Sequence, residues 1–87
     1  MLLDETKKII EALLFMKGEE GLNIEYFSTF MEVEIHEAEN MLNVFCEDYN
    51  KINNSLIIRK FGTTYKMLLR DEMAEVIKKA VISKNLV

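Results

Sequence analysis

The chain has 87 residues, of which 49% are hydrophobic and 30% charged, with a formal net charge of −4. That length provides for one small core, burying only about 60% of the unfolded surface, and the apolar content excludes a disordered chain. The acidic balance argues against a domain whose main work is neutralising phosphates. A single cysteine excludes an intramolecular disulfide framework. No apolar run approaches a membrane span, and Asp4 and Glu5 stand where a signal peptide would carry positive charge, so a cytoplasmic location is expected.

In chain order, Asp4 is placed to cap a first helix that runs to about Lys17 and stops at Gly18. A very short extended link is expected at Leu22–Asn23. Asn23 then precedes "IEYFSTFM", a helix of about two turns in which Phe27, Phe30 and Met31 recur at i, i+3 and i+4. A third helix carries Ile35, Ala38, Leu42, Phe45 and Tyr49 as one stripe and is expected to end near Asn53–Asn54, where asparagines allow a left-handed turn. "SLIIRKF" and "TYKMLLR", separated by Gly62 and Thr63, read as a β-hairpin. Arg70 or Asp71 opens a last helix with Met73, Ile77, Ala80 and Val81 on its buried face. Three helices, a hairpin and a helix are the plan of a winged helix-turn-helix: mainly α, with a small β-hairpin (α+β). With no proline and no Gly/Ser linker, residues 1–87 read as one domain. The apolar ending "AVISKNLV", without a helix stop, suits the first domain of a longer protein.

The first helix is too apolar for one face. Leu13, Leu14, Phe15 and Met16 are consecutive, and a helix turns about 100° per residue. Ile9, Ala12, Leu13 and Met16 share one face, Ile10 and Leu14 broaden it, and Phe15 falls outside it between Glu11 and Lys8. Ile82 is likewise off the stripe of the last helix, among Glu75, Lys78 and Lys79. The surplus makes Ile10, Leu14, Phe15 and Ile82 candidates for contact with another chain, since large apolar side chains dominate protein interfaces.

Two further functions are weighed against the residues. In DNA-binding winged helices the third helix enters the major groove on Arg, Lys, Asn or Gln. Here the face away from the stripe carries Glu37, Glu39, Asn40, Asn43, Glu47 and Asp48, with Lys51 alone at its end, so sequence-specific DNA binding is not expected. The hairpin's Arg59, Lys60, Lys66 and Arg70 are candidates for weak contact with phosphate or an acidic partner, or simply solvate one sheet face. "HEAEN" at 36–40 has Asn40 where the zinc motif needs its second histidine, which leaves His36, the only histidine, as a surface residue. Cys46 falls near the buried edge of the third helix and reads as a small hydrophobe. No catalytic, metal-binding or cofactor-binding residues are expected.

"IIEALLFMKGEE", the helix pair after it, and "LIIRKFGTTYKMLLRDEMAEVIKK" together resemble the N-terminal winged-helix domain of the segregation and condensation protein ScpB family. The most specific parts are Glu11-Ala12-Leu13-Leu14-Phe15, Gly18-Glu19, and the hairpin around Arg59 and Tyr65-Lys66. The resemblance implies a non-catalytic, nucleoid-associated subunit of a bacterial condensin-like complex. Such a subunit forms a homodimer and binds the kleisin ScpA and, through it, the SMC ATPase, in chromosome condensation and segregation. The alternative is a winged-helix DNA-binding transcription regulator, against which the acidic third helix counts. The chain departs from the family pattern in lacking a second winged helix, in Glu20-Gly21 where proline is common, and in Met31-Glu32 where Leu-Gly is usual.

Overall fold

Apolar residues spaced three and four apart set the helices, and Gly18 ends the first of them. The computed structural model of the chain describes residues 2–85, with side chains described for residues 2–79. The elements are α1 (Asp4–Lys17), a 3₁₀ turn (Gly18–Glu20), β1 (Leu22–Asn23), α2 (Ile24–Met31), α3 (Ile35–Asn50), β2 (Leu56–Phe61), β3 (Thr64–Leu69) and α4 (Asp71–Asn85). This is the expected α+β winged helix, with one addition. The short link at Leu22–Asn23 pairs with β3, so the hairpin becomes a three-stranded antiparallel sheet in the order β1-β3-β2.

The core draws on every helix and strand before α4, the 3₁₀ turn giving none of it. Ile10, Leu13 and Leu14 of α1 meet Leu22, Ile24 and Phe27, then Ala38, Leu42 and Phe45 of α3, with Ile58 and Tyr65 from the sheet. Of these, Ala38, Leu42 and Phe45 lie on the stripe that helical spacing gives α3. In β2 and β3, Ile58 and Tyr65 face inward while Arg59 and Lys66 pair across the strands on the opposite side. The hairpin turns at Gly62-Thr63. Only Gly62 of the two has a positive φ (65°), the pattern of a type II′ turn. Gly21 is required for a different reason: a Cβ there would lie 2.5 Å from Thr64 Cγ2 and 2.9 Å from the Tyr65 carbonyl oxygen. The chain must pass this close to β3 for β1 to join the sheet.

The helix ends depart from expectation in three places. Asp4 is the first residue of α1 rather than its cap; Leu3 precedes the helix without a side-chain cap, and Asp4 and Glu5 sit in its first turn, where their charge favours the dipole. Asn23 does cap α2, its Oδ1 accepting from the backbone N–H of Glu25 and Tyr26. α3 stops at Asn50, and neither Asn53 nor Asn54 turns left-handed. Among the described residues Glu32 alone has a positive φ without being glycine, at 57°. That is the residue replacing glycine in the family pattern, and it ends α2 in the left-handed conformation that side chains disfavour. The tight α2–α3 junction holds it there: the Ser28 hydroxyl donates to the Val33 carbonyl at 2.5 Å, and Val33 N–H donates back to Ser28 O.

α4 stands apart. The described part of it gives no residue to the core, and the molecule measures 51 × 23 × 22 Å with a radius of gyration of 15.0 Å. A compact chain of this length would have a radius of about 12 Å. The expected buried face of α4 is therefore only partly so. Met73 is half-buried, Ile77 is 43% exposed, and neighbouring Val76 is 54% exposed. Ala80, Val81 and Ile82 lie outside the residues whose side chains are described.

Two substitutions test these readings by thermal or urea unfolding. Leu42→Ala removes a side chain with no exposed surface and should cost about 2–5 kcal/mol. Glu32→Gly relieves the left-handed position and should stabilise by about 0.5–1 kcal/mol, the relief exceeding the glycine's added entropy cost.

Candidate protein-interaction site

α1 divides its apolar surplus cleanly. Ile10 and Leu14 are 0% and 1% exposed, so these two candidates belong to the core and leave nothing for a partner. The helix sits deeper against α3 and the sheet than a single face would place it. The residues left outside are Phe15, 81% exposed, and Met16, 77% exposed. Met16 and Ala12, which helical spacing assigned to the core, are both on the surface. Phe30 of α2 and Ile35 of α3 also face solvent despite lying on apolar stripes. A domain this small runs out of interior before these sequences run out of apolar residues.

Phe15 has a place to go. With Glu11 and Ala12 it lines one side of a groove of about 340 Å³, and Tyr49, Leu56 and Met67 line the rest. A hollow of about 180 Å³, walled by Lys7, Phe45, Asp48, Tyr49 and Ile52, lies on the other side of Tyr49. The first of them is an apolar trough beside α1 with Glu11 as its charged lining residue, and the second adds Lys7 and Asp48. Concave apolar surface with a polar rim is what partner segments occupy.

The positively charged hairpin separates into two pairs. Arg70 is consumed internally: its guanidinium donates to the carbonyls of Asn50, Ile52 and Asn54 at 2.8–3.0 Å, and its backbone N–H donates to Ser55 O. The Asn50 carbonyl is the last of α3, and those of Ile52 and Asn54 belong to the loop that follows it. Lys60 is also engaged, donating to Glu39 Oε2 at 2.5 Å across from α3 and lying 5.7 Å from the centre of the Tyr65 ring. Neither Arg70 nor Lys60 is a free cation for phosphate. Arg59 and Lys66 remain, opposite each other on the outer face, with Lys66 over the Phe61 ring. The sequence showed all four charges but not which of them an internal partner would take.

α3 presents Glu37, Asn40, Asn43, Glu47 and Asp48 to solvent, as its spacing predicts. Asn43 accepts a hydrogen bond from the Tyr65 hydroxyl, so even this polar residue is turned toward the sheet. Burial raises the pKa of that hydroxyl, the Lys60 charge opposing it. Cys46 is a half-buried thiol pushed up to about 12 by desolvation, which keeps it protonated and unreactive at neutral pH. Exposed His36 has only Asn40 Nδ2 near its ring, at 3.5 Å. Among the described residues no three His, Cys, Asp or Glu side chains are close enough to hold a metal ion, and no helix is long and apolar enough to cross a membrane.

The sequence profile of the family described as "Segregation and condensation complex subunit ScpB" matches residues 8–86. The chain belongs to the ScpB family. Relatives named segregation and condensation protein B are 32% identical over 77 residues in Bacillus cereus, covering 88% of this chain and 40% of the relative. In Mycoplasma mobile the relative is 34% identical, covering 87% and 44%. The chain thus spans less than half the length of these ScpB relatives. Among solved structures it resembles a crystallised dimer of the ScpB N-terminal domain complexed with ScpA peptide. That likeness has a TM-score of 0.79 and 28% identity, covering 90% of this chain and 96% of that one. ScpB from Mycobacterium tuberculosis shares the fold, with a TM-score of 0.78 at 17% identity, over 98% of this chain and 54% of that one.

The ion pair between α3 and β2 has a definite pH signature. The hydrogen bond and charge of Lys60 hold the Glu39 carboxyl below its ordinary 4.5, and Glu39 holds Lys60 above its ordinary 10.5. The tie is complete above the ordinary carboxylate range and fades as pH falls through the lowered Glu39 value. At the alkaline end it is complete below 10.5 and fades as pH rises through the raised Lys60 value. An NMR titration of the Glu39 carboxyl should give a midpoint below 4.5 that returns to the ordinary value in Lys60→Met.

Proposed function

We propose that this chain is the N-terminal winged-helix part of a non-catalytic subunit of a bacterial condensin-like SMC–kleisin complex. In this reading it lies in the cytoplasm with the nucleoid, pairs with a second copy of itself, and binds a kleisin of the ScpA kind that links it to the SMC ATPase. The observation that carries the reading is the likeness, in sequence and fold over nine-tenths of the chain, to a dimer of the ScpB N-terminal domain complexed with ScpA peptide. The structure adds physical support. Phe15 and the trough beside it are unsatisfied apolar surface on a domain too small to spare it, and association would cover that surface.

A DNA-binding regulator is the weaker reading. The helix that would enter the groove presents Glu37, Glu47 and Asp48, and Lys60 and Arg70 are tied to the protein itself. Charges of this sign on the reading face repel phosphate.

The test is the solution mass by light scattering over a dilution series, for the wild-type chain and for Phe15→Glu. The expected result is a dimer of the 10.2 kDa chain that becomes a folded monomer on substitution. A wild-type monomer at every concentration would remove self-association from the account. Unfolding of Phe15→Glu would return Phe15 to the core. Retention on heparin at low salt would favour the regulator instead.

A further inference from the structure

We infer that the outer face of the hairpin docks an acidic segment of another protein, one that presents a carboxylate between two large apolar side chains. This face lies on the side of the sheet away from the trough, and the inference stands apart from the pairing of two copies.

The register of β2 and β3 lays out three cross-strand rungs on that face: Ile57 with Leu68, Arg59 with Lys66, and Phe61 with Thr64. Alternation sets these residues opposite Ile58 and Tyr65, which point into the core. The middle rung is cationic, and each rung beside it carries a large apolar side chain. Ile57 and Leu68 are half-buried. Phe61 is 51% exposed, with the Lys66 ammonium 5.7 Å from the centre of its ring. No carboxylate belongs to the three rungs, although Asp and Glu outnumber Lys and Arg by 15 to 11 in the whole chain.

Within the chain the Arg59–Lys66 rung is unfavourable, because like charges directly opposite each other in an antiparallel pair repel. The hairpin's other two cations have internal acceptors, Glu39 for Lys60 and the main-chain carbonyls for Arg70. Among the described residues Arg59 and Lys66 make neither an ion pair nor a side-chain hydrogen bond. A carboxylate seated between them would accept from the Arg59 fork on one side and the Lys66 ammonium on the other, and would relieve the repulsion.

Two features define the occupant. It lies over the face and not beside it, since Asn50 and Asn54 occupy the β2 edge. Successive rungs are about 6.6 Å apart along the strands, close to the rise of about 6 Å over four helical residues. A helix with apolar, acidic and apolar side chains at i, i+4 and i+8 therefore meets all three rungs. Nucleic acid fits less well. Two free cations are too few to hold a phosphate chain against a net charge of −4, and phosphate gains nothing from the apolar rungs.

The probe is a short helical peptide with Leu, Glu and Leu at i, i+4 and i+8 and neutral residues elsewhere, titrated into the isotope-labelled chain with amide NMR as readout. The expected result is saturable shifts across residues 57–68 that weaken as salt is raised. Binding should be about tenfold weaker for the same peptide with Gln in place of Glu. Arg59→Glu turns the middle rung into an opposite-charge pair, so Tm should rise while peptide binding is lost. No saturable shift, an equal response to the Gln peptide, or a fall in Tm for Arg59→Glu would overturn the inference. So would an oligothymidylate that binds this face more tightly than the peptide. The solution mass should be the same for Arg59→Glu as for the wild type, so the inference and the homodimer reading fail separately.

Discussion

The Arg70 guanidinium, donating to the main-chain carbonyls of Asn50, Ile52 and Asn54, is the contact on which the arrangement of the molecule turns. A helix leaves its final carbonyls without partners, and here they lie where chain must leave α3 and enter the sheet. One side chain from the far end of the hairpin satisfies the last of them, on Asn50, together with two carbonyls of the loop that follows. It ends α3, fixes where the hairpin joins the body, and gives α4 its direction of departure. A lysine would carry the same charge but not the planar fork that reaches several carbonyls at once. One of the four cations weighed as contacts for phosphate or an acidic partner is thus the bracket of the fold.

Around that bracket the apolar material is unevenly shared. α1, α2 and α3 bury a close-packed centre on Ile10, Leu14, Phe27 and Leu42, and the remainder is pushed out to Phe15, Met16, Phe30, Val76 and Ile77. A large domain would absorb such residues, whereas this one has too little interior. The chain's family is shown by its profile, and a crystallised N-terminal domain of that family is a dimer complexed with a peptide. The acidic balance fits the same picture. The carboxylates of α3 keep the face solvated, and Glu39 holds the hairpin through Lys60.

Most of the architecture was legible because it depends on local rules. Gly18 and Asn23 mark helix ends by their chemistry, Gly62-Thr63 marks the turn, and Ala38, Leu42 and Phe45 declare one face of α3 by spacing alone. Three things were not legible. The exact rotation of α1 against its neighbours, which hides Ile10 and Leu14 and exposes Ala12 and Met16, depends on how three elements pack together. The fate of the hairpin's cations depended on partners far away in sequence, 21 residues for Lys60 and up to 20 for Arg70. The detachment of α4 could not be read from its pattern, since an apolar stripe says that a helix wants a neighbour and not whose neighbour it will be.

One small feature bears on how such a protein behaves at high copy number. β2 is the outer strand of the sheet, yet the Asn50 side chain both donates to the Ile58 carbonyl, at 2.9 Å, and accepts from its N–H, at 2.8 Å, while Asn54 Oδ1 accepts from Leu56 N–H. Two amide side chains occupy the places where a foreign strand would dock. Strand-to-strand joining has no natural end, since each new edge invites the next. With those places taken, the β2 edge is obstructed, and association is turned toward helices and hollows, which become filled. Growth into fibres through this edge is discouraged, and small, countable assemblies are favoured.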